Sequence, residues 1–178
     1  MKLIGDKNKF AIEFEIMEPY GFYNSVIFIW INNQYIGDNR KFDGSLITWP
    51  ISYTWRPLFL ISKHLEDFYE PEFLSLDYKN IADVLMEEKE FSREFYIDKY
   101  KFFTSGGFDI FSCRYFKISD ELKFIWRLYD DYKLSEDPNY GYEYKYGTVE
   151  FAYFLKVFND FGLELKNTIP EWYKKVLT

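Results

Sequence analysis

Glu13 and Glu15 stand two apart in "KFAIEFEIM", a spacing that sets two carboxylates side by side on one face of an extended strand. A pair so placed is the minimum equipment for acid–base hydrolysis by carboxylates. No histidine or further metal ligand accompanies them nearby, so a solvated strand face is the weightier reading. His64 in "ISKHLED" is the sole histidine and Cys113 in "IFSCRYFKI" the sole cysteine. Together they are the one conceivable nucleophile pair. Cys113, however, has aromatic neighbours in a strand-like run and no helix N-terminus to lower its pKa, which predicts a buried, inert thiol. His64 falls on an amphipathic helical pattern, where a histidine ordinarily packs or faces solvent. "SGGF" at 105–108 is too short to cradle a phosphate, and the chain has no P-loop, dinucleotide-binding glycine pattern, H-E-x-x-H or C-x-x-C. The reading at this level is no catalytic residue, no metal site and no cofactor.

The elements that would position any site read as follows. In β-period, Phe10, Ile12, Phe14 and Ile16 share one face, and Ala11, Glu13, Glu15 and Met17 the other. "SVIFIWI" is apolar on both parities, as a central strand covered on both faces would be. "INNQYIGD" supplies an Asn-Asn hairpin turn, since asparagine tolerates the positive φ such a turn demands. Three antiparallel strands are therefore expected over residues 9–37. A helix is expected from about Pro57 to Asp67 with the proline in its first turn. A second, in "YKNIADVLMEEKEF", would be capped by Asn80, with Ile81, Val84, Leu85 and Glu88 at helical spacing and Glu87, Glu88 and Glu90 on its wet side. "FYIDKYKFF" reads as a strand, "SGG" as a loop, and "IFSCRYFKI" with "LKFIWRLY" as a hairpin around a four-residue turn containing "SDE". "TVEFAYFLKVFNDFG" is the strongest helix: Thr148 as cap, Phe151, Phe154, Leu155 and Phe158 as apolar stripe, Gly162 as stop. A final helical turn is expected in "PEWYKKVL". This order predicts one α+β domain over residues 1–178, with an antiparallel sheet of about six strands and roughly two or three packing helices.

Composition narrows the function. The chain of 178 residues is long enough to bury a sizeable core without a staple, and a lone cysteine excludes an intramolecular disulfide and any multi-cysteine zinc site. The formal net charge of −7 repels nucleic acid and anionic membranes and favours a basic partner by electrostatic steering. The N-terminus lacks a signal-peptide core and "VIFIWI" is far too short to span a bilayer; a cytoplasmic protein is expected. The 20 Phe, 17 Tyr and 5 Trp reflect compositional bias and core packing for the most part, so only aromatics in turn-rich segments are candidates for a surface.

One such segment is "LYDDYKLSEDPNYGYEYKYG", residues 128–147. It places Asp130, Asp131, Glu136 and Asp137 ahead of Tyr140, Tyr142, Glu143, Tyr144 and Tyr146, around Pro138 and Gly141. Tyrosines beside carboxylates on a long connection suit recognition of a basic protein. "YEYKYG" also alternates, so a hairpin continuing the sheet is an equal alternative.

The opening residues carry a further clue. "IGDKNKFAIEFEI" followed by "FIWINNQYIGD" resembles the start of the bacterial immunity protein 42 family, with its Gly-Asp/Asn, Phe-Ala-Ile strand and Trp/Tyr-Ile-Asn-Gly/Asn-Gln turn. The resemblance covers about residues 3–38 and, more weakly, "LKFIWRL"; Asn33 stands where glycine is more usual, and asparagine can adopt that backbone. The resemblance implies a small cytoplasmic antidote that binds a cognate toxin domain, with no shared catalytic residues. On the residues alone, the partner surface is expected in Asp130, Asp131, Glu136, Asp137, Tyr140, Tyr142, Glu143 and Tyr144, and the opening strands are expected to be scaffold. The rival classes are a carboxylate-dependent enzyme or binding module for a sugar or other small ligand, and an assembly subunit without activity of its own.

Overall fold

The computed structural model describes residues 1–17, 24–38, 41–42, 45–46, 48–64, 71–86, 102, 108–134 and 137–176. The chain opens with strands β1 (Lys2–Asp6), β2 (Phe10–Met17), β3 (Asn24–Ile31) and β4 (Gln34–Ile36), followed by the short strands β5 (Lys41–Phe42), β6 (Ser45–Leu46) and β7 (Trp49–Pro50). Helix α1 (Ser52–His64), a 3-10 turn (Pro71–Ser75) and helix α2 (Tyr78–Met86) come next. Strands β8 (Phe111–Ile118), β9 (Glu121–Leu128) and β10 (Lys145–Glu150) precede helices α3 (Phe151–Thr168) and α4 (Pro170–Val176). The α+β class expected from the sequence is what the chain adopts, but its strands divide between two larger antiparallel sheets. One has the order β1-β2-β3-β4 with β7 also on β3, the other the order β10-β9-β8.

Phe10, Ile12 and Phe14 lie opposite Ile31, Ile29 and Ile27 across the β2–β3 ladder, and all six are buried. Helix α3 covers this face: Phe154 packs on Phe10 at 5.2 Å between ring centroids and Phe161 edge-on against Phe14 at 5.0 Å. The second sheet turns Leu122, Phe124, Trp126 and Leu128 into the same core, with Phe124 stacked 6.3 Å from Phe10. Its reverse face, Phe116 and Ile125, is covered by Phe73, Ile81, Ala82 and Leu85 from the 3-10 turn and α2. Strand β9 is thus buried on both sides.

The Asn-Asn turn forms as expected, with Asn32 and Asn33 at φ of 48° and 64°, the two positive values of a tight hairpin. Strand β1 lies ahead of the three expected strands. It pairs with β2 along its whole length after a turn in which the Asp6 carboxylate accepts the Asn8 N–H at 2.9 Å. The β8–β9 hairpin also forms, with Ser119 and Asp120 alone between the paired Ile118 and Glu121. The connection is two residues, tighter than the expected four, because Ser119 takes a φ of 51°.

The helices differ from those expected in their bounds and caps. Helix α1 begins five residues before Pro57 and is described to His64; the expected remainder to Asp67 lies outside the described residues. The proline sits in the second turn, where Trp55, Leu58 and Ile61 anchor the inner face of the helix. Asp77, not Asn80, caps α2: its carboxylate accepts the Asn80 N–H at 2.8 Å, leaving Asn80 inside the helix. Thr148 is a β10 residue, and α3 starts after Glu150 without a side-chain cap. Gly162 does not stop α3. It lies within the helix where a Cβ would come 3.1 Å from Trp55 Cη2 and 3.3 Å from Tyr173 Oη, so its smallness lets α1 and α4 pack close. The helix ends at Thr168, before Pro170 opens α4. Of "FYIDKYKFF" only Phe102 is described; it is buried and its N–H donates to the Cys113 carbonyl at 3.0 Å. Glu87, Glu88, Glu90 and the "SGG" run lie outside the described residues.

Candidate functional site

The outer face of the five-stranded sheet is built by the alternate residues of β2, β3 and β4. Glu13 lies opposite Phe28, and Trp30 is flanked by Ala11 and Tyr35. Two turns from different hairpins are tied together beside it: the Asn32 N–H donates to the Lys9 carbonyl at 3.0 Å and the Asn33 N–H to the Lys7 carbonyl at 2.6 Å. That junction delivers the Lys7 side chain onto the face. Its ammonium stands 3.9 Å above the Trp30 ring centre and donates to Glu13 Oε2 at 2.7 Å, while the Trp30 indole N–H donates to the same oxygen at 2.8 Å. Glu13, Lys7, Phe28, Trp30 and Tyr35, with Met1 and Asp137 at the rim, enclose a cleft of about 440 Å³.

The Glu13–Glu15 pair is therefore no bare carboxylate dyad. Glu13 is half-buried and tied to Lys7 and Trp30, while Glu15 is exposed and faces the amino terminus at 3.8 Å. Each carboxylate has its own cation.

Asp137 brings the acidic, tyrosine-rich segment to this cleft. Its carboxylate accepts the Asn139 N–H at 3.2 Å and its carbonyl the Tyr140 N–H at 3.0 Å, which closes a tight turn. Tyr140 then leaves the expected surface altogether. It is buried, its hydroxyl accepts the Trp126 indole N–H at 2.9 Å and donates to the Tyr35 carbonyl at 2.7 Å, and burial pushes its pKa above the usual tyrosine range. It is a strut joining the two sheets.

The other expected residues divide. Asp130, Asp131, Tyr142 and Glu143 are exposed. Asp130 lies 3.8 Å from Arg127. The hydrogen bond from Lys145, at 2.8 Å, holds the Glu143 carboxyl below the usual carboxylate range. Tyr144 is half-buried with the Arg127 guanidinium 5.4 Å from its ring centre. Glu136 lies outside the described residues. The choice between loop and hairpin resolves within the segment: β10 begins at Lys145 and includes Tyr146, which packs on Tyr78 at 4.9 Å, whereas Tyr140 to Tyr144 precede it. Tyr129, Tyr132 and Tyr142 are exposed.

Cys113 and His64 do not share this face. Cys113 is buried in β8, and burial raises its thiol pKa more than neighbouring Arg114 lowers it. His64 is exposed in the last turn of α1. A His64→Gln, Cys113→Ala double variant is accordingly expected to keep its biological activity at temperatures where it remains folded. Loss of activity with an unchanged unfolding curve would point to a nucleophilic role for one of the two side chains. Among the described residues no three metal-ligating side chains converge, and no described helix is long and apolar enough to cross a membrane.

The model of the family described as immunity protein 42 matches residues 1–163. The chain belongs to the immunity protein 42 family. The match extends far beyond the opening 38 residues, taking in the tyrosine-rich segment and most of α3. A solved structure described as CdiI from Burkholderia dolosa AUO158 superposes with a TM-score of 0.58, covering 92% of this chain and 99% of that one at 12% identity; the likeness is one of fold. No curated protein sequence matches.

The cleft itself was not singled out by the sequence, which marked the opening strands as scaffold. Their outer face lines the cleft. The signal was present in "SVIFIWI": Phe28 and Trp30 on the second parity of a strand whose partner places Glu13 opposite.

Proposed function

We propose that this protein neutralises a cognate toxin domain by stoichiometric, non-catalytic association in the cytoplasm of the cell that makes both. The observation that carries this reading is the family match over residues 1–163. The surface is suited to it. Asp130, Asp131, Tyr142 and Glu143 are exposed, Asp137 of the same segment lines a cleft walled by Trp30 and Tyr35, and tyrosine and tryptophan supply much of the energy of protein interfaces. With a net charge of −7, the protein attracts a basic toxin and repels nucleic acid and anionic membranes.

Tyr142→Ala and Asp137→Lys are each expected to weaken toxin binding by at least about 1–2 kcal/mol. The charge reversal should act largely on the association rate, more strongly at low salt. Titration calorimetry and stopped-flow mixing at two salt concentrations, against the toxin encoded beside this chain, read both effects. Wild-type-like binding by both variants would move the interface off this segment.

A further inference from the structure

The cleft on the outer face of the five-stranded sheet has a chemistry narrower than a general contact surface. Resting on the neutralisation proposed above, we infer that it receives an arginine or lysine side chain of the toxin, and that Lys7 holds part of that seat in the unbound protein. Trp30 and Tyr35 stand 5.3 Å apart between ring centres and Phe28 meets Tyr35 edge-on at 5.6 Å, giving an aromatic wall. An aromatic face attracts a cation through its quadrupole, and tryptophan does so best.

The protein demonstrates the fit with its own chain. Lys7 places its ammonium 3.9 Å over Trp30 and 2.7 Å from Glu13, and this pair is only 31% and 22% exposed, so salt screens it less than an open surface pair. Across the cleft, Asp137 lines the rim, and among the described residues no lysine or arginine is paired with it. The lining therefore offers an aromatic surface, one carboxylate already neutralised and one that is not. A volume of about 440 Å³ is within the ordinary range of ligand clefts and admits a long side chain. An incoming cation gains from Asp137 and the rings, and loses by proximity to the Lys7 charge.

That opposition gives the test a sign. Lys7→Gln removes the resident like charge and should tighten toxin binding by about three- to tenfold. Asp137→Asn, which keeps the side-chain shape, should weaken it by a similar factor. Lys156→Gln is the control for net charge, because Lys156 is exposed on α3, which packs on the sheet's other face; its effect should be less than twofold. Lys7→Met repeats the first variant with an apolar stem left over Trp30. All are measured by calorimetry with the purified toxin domain, with unfolding curves confirming intact folds.

Lys7 variants indistinguishable from Lys156→Gln, with Asp137→Asn unchanged, would overturn the cationic occupant while leaving neutralisation by binding intact. Opposite signs, with Lys7→Gln weakening and Asp137→Asn tightening, would overturn it in favour of an anionic group. Failure of the wild type to bind at all would remove the underlying reading, and the occupant with it.

Discussion

Phe154→Ala is expected to lower the free energy of unfolding by about 3–5 kcal/mol. The ring is fully buried, packs at 5.2 Å on Phe10, and lies parallel to Phe158 at 6.3 Å and Phe151 at 6.0 Å. It is the central contact of α3 with the sheet. Truncation removes the transfer energy of the ring and leaves a cavity that surrounding phenylalanines, held by their own neighbours, can only partly fill. Urea denaturation with an unchanged dependence on denaturant would measure the loss. One transition is expected for the whole chain, because a continuous core joins residues of both sheets, α1 and α3. A loss below about 1 kcal/mol would show that α3 does not face the sheet as described.

The second large effect concerns a single oxygen. Tyr140→Phe keeps the ring that packs against Tyr35 and Phe111 at 5.3 and 5.8 Å but deletes the hydroxyl between Trp126 and the Tyr35 carbonyl. Trp126 is fully buried, so its indole N–H would lose its partner in a place water reaches poorly. An unsatisfied buried donor costs about 1–3 kcal/mol, more than the net worth of the bond itself. Tyr142→Phe, at an exposed position, should change stability by less than about 0.5 kcal/mol. Equal effects in the two variants would mean that Tyr140 is not the strut between the sheets.

Tyr140 also shows where sequence reasoning reached its limit. Four tyrosines at alternating positions look alike along the chain, and what separates Tyr140 from Tyr142 is a carbonyl 105 residues away. The same holds for Gly162. A glycine after an apolar helical stripe is locally a stop signal, but here its missing Cβ makes room for Trp55 from α1 and Tyr173 from α4. Thr148 has the chemistry of a cap, yet the pairing of β10 with β9 extends the strand past it, and its N–H is taken by the Asn32 side chain at 2.8 Å. Strand β1 has little alternation of its own, and a Gly5 at φ of 97°; its order comes from pairing with β2.

Where local pattern and tertiary demand agree, the sequence was legible. The strict alternation from Phe10 to Ile16, the Asn32–Asn33 turn, the β8–β9 hairpin and the Phe154–Phe158 stripe of α3 all form from residues close in the chain. The cleft was not legible in that way, because Lys7, Glu13, Trp30 and Asp137 come from a turn, two strands and a distant loop. Only the antiparallel register of β2 and β3, together with the junction of two hairpin turns, brings the first three together.

Neutralisation by stoichiometric binding is tested by titrating the purified toxin domain with this protein while following the toxin's own activity. A linear fall is expected that reaches completion at equimolar protein, without dependence on incubation time once mixing is complete. Inactivation at sub-stoichiometric protein that progresses with time would indicate turnover, and full toxin activity in molar excess of this protein would contradict neutralisation outright.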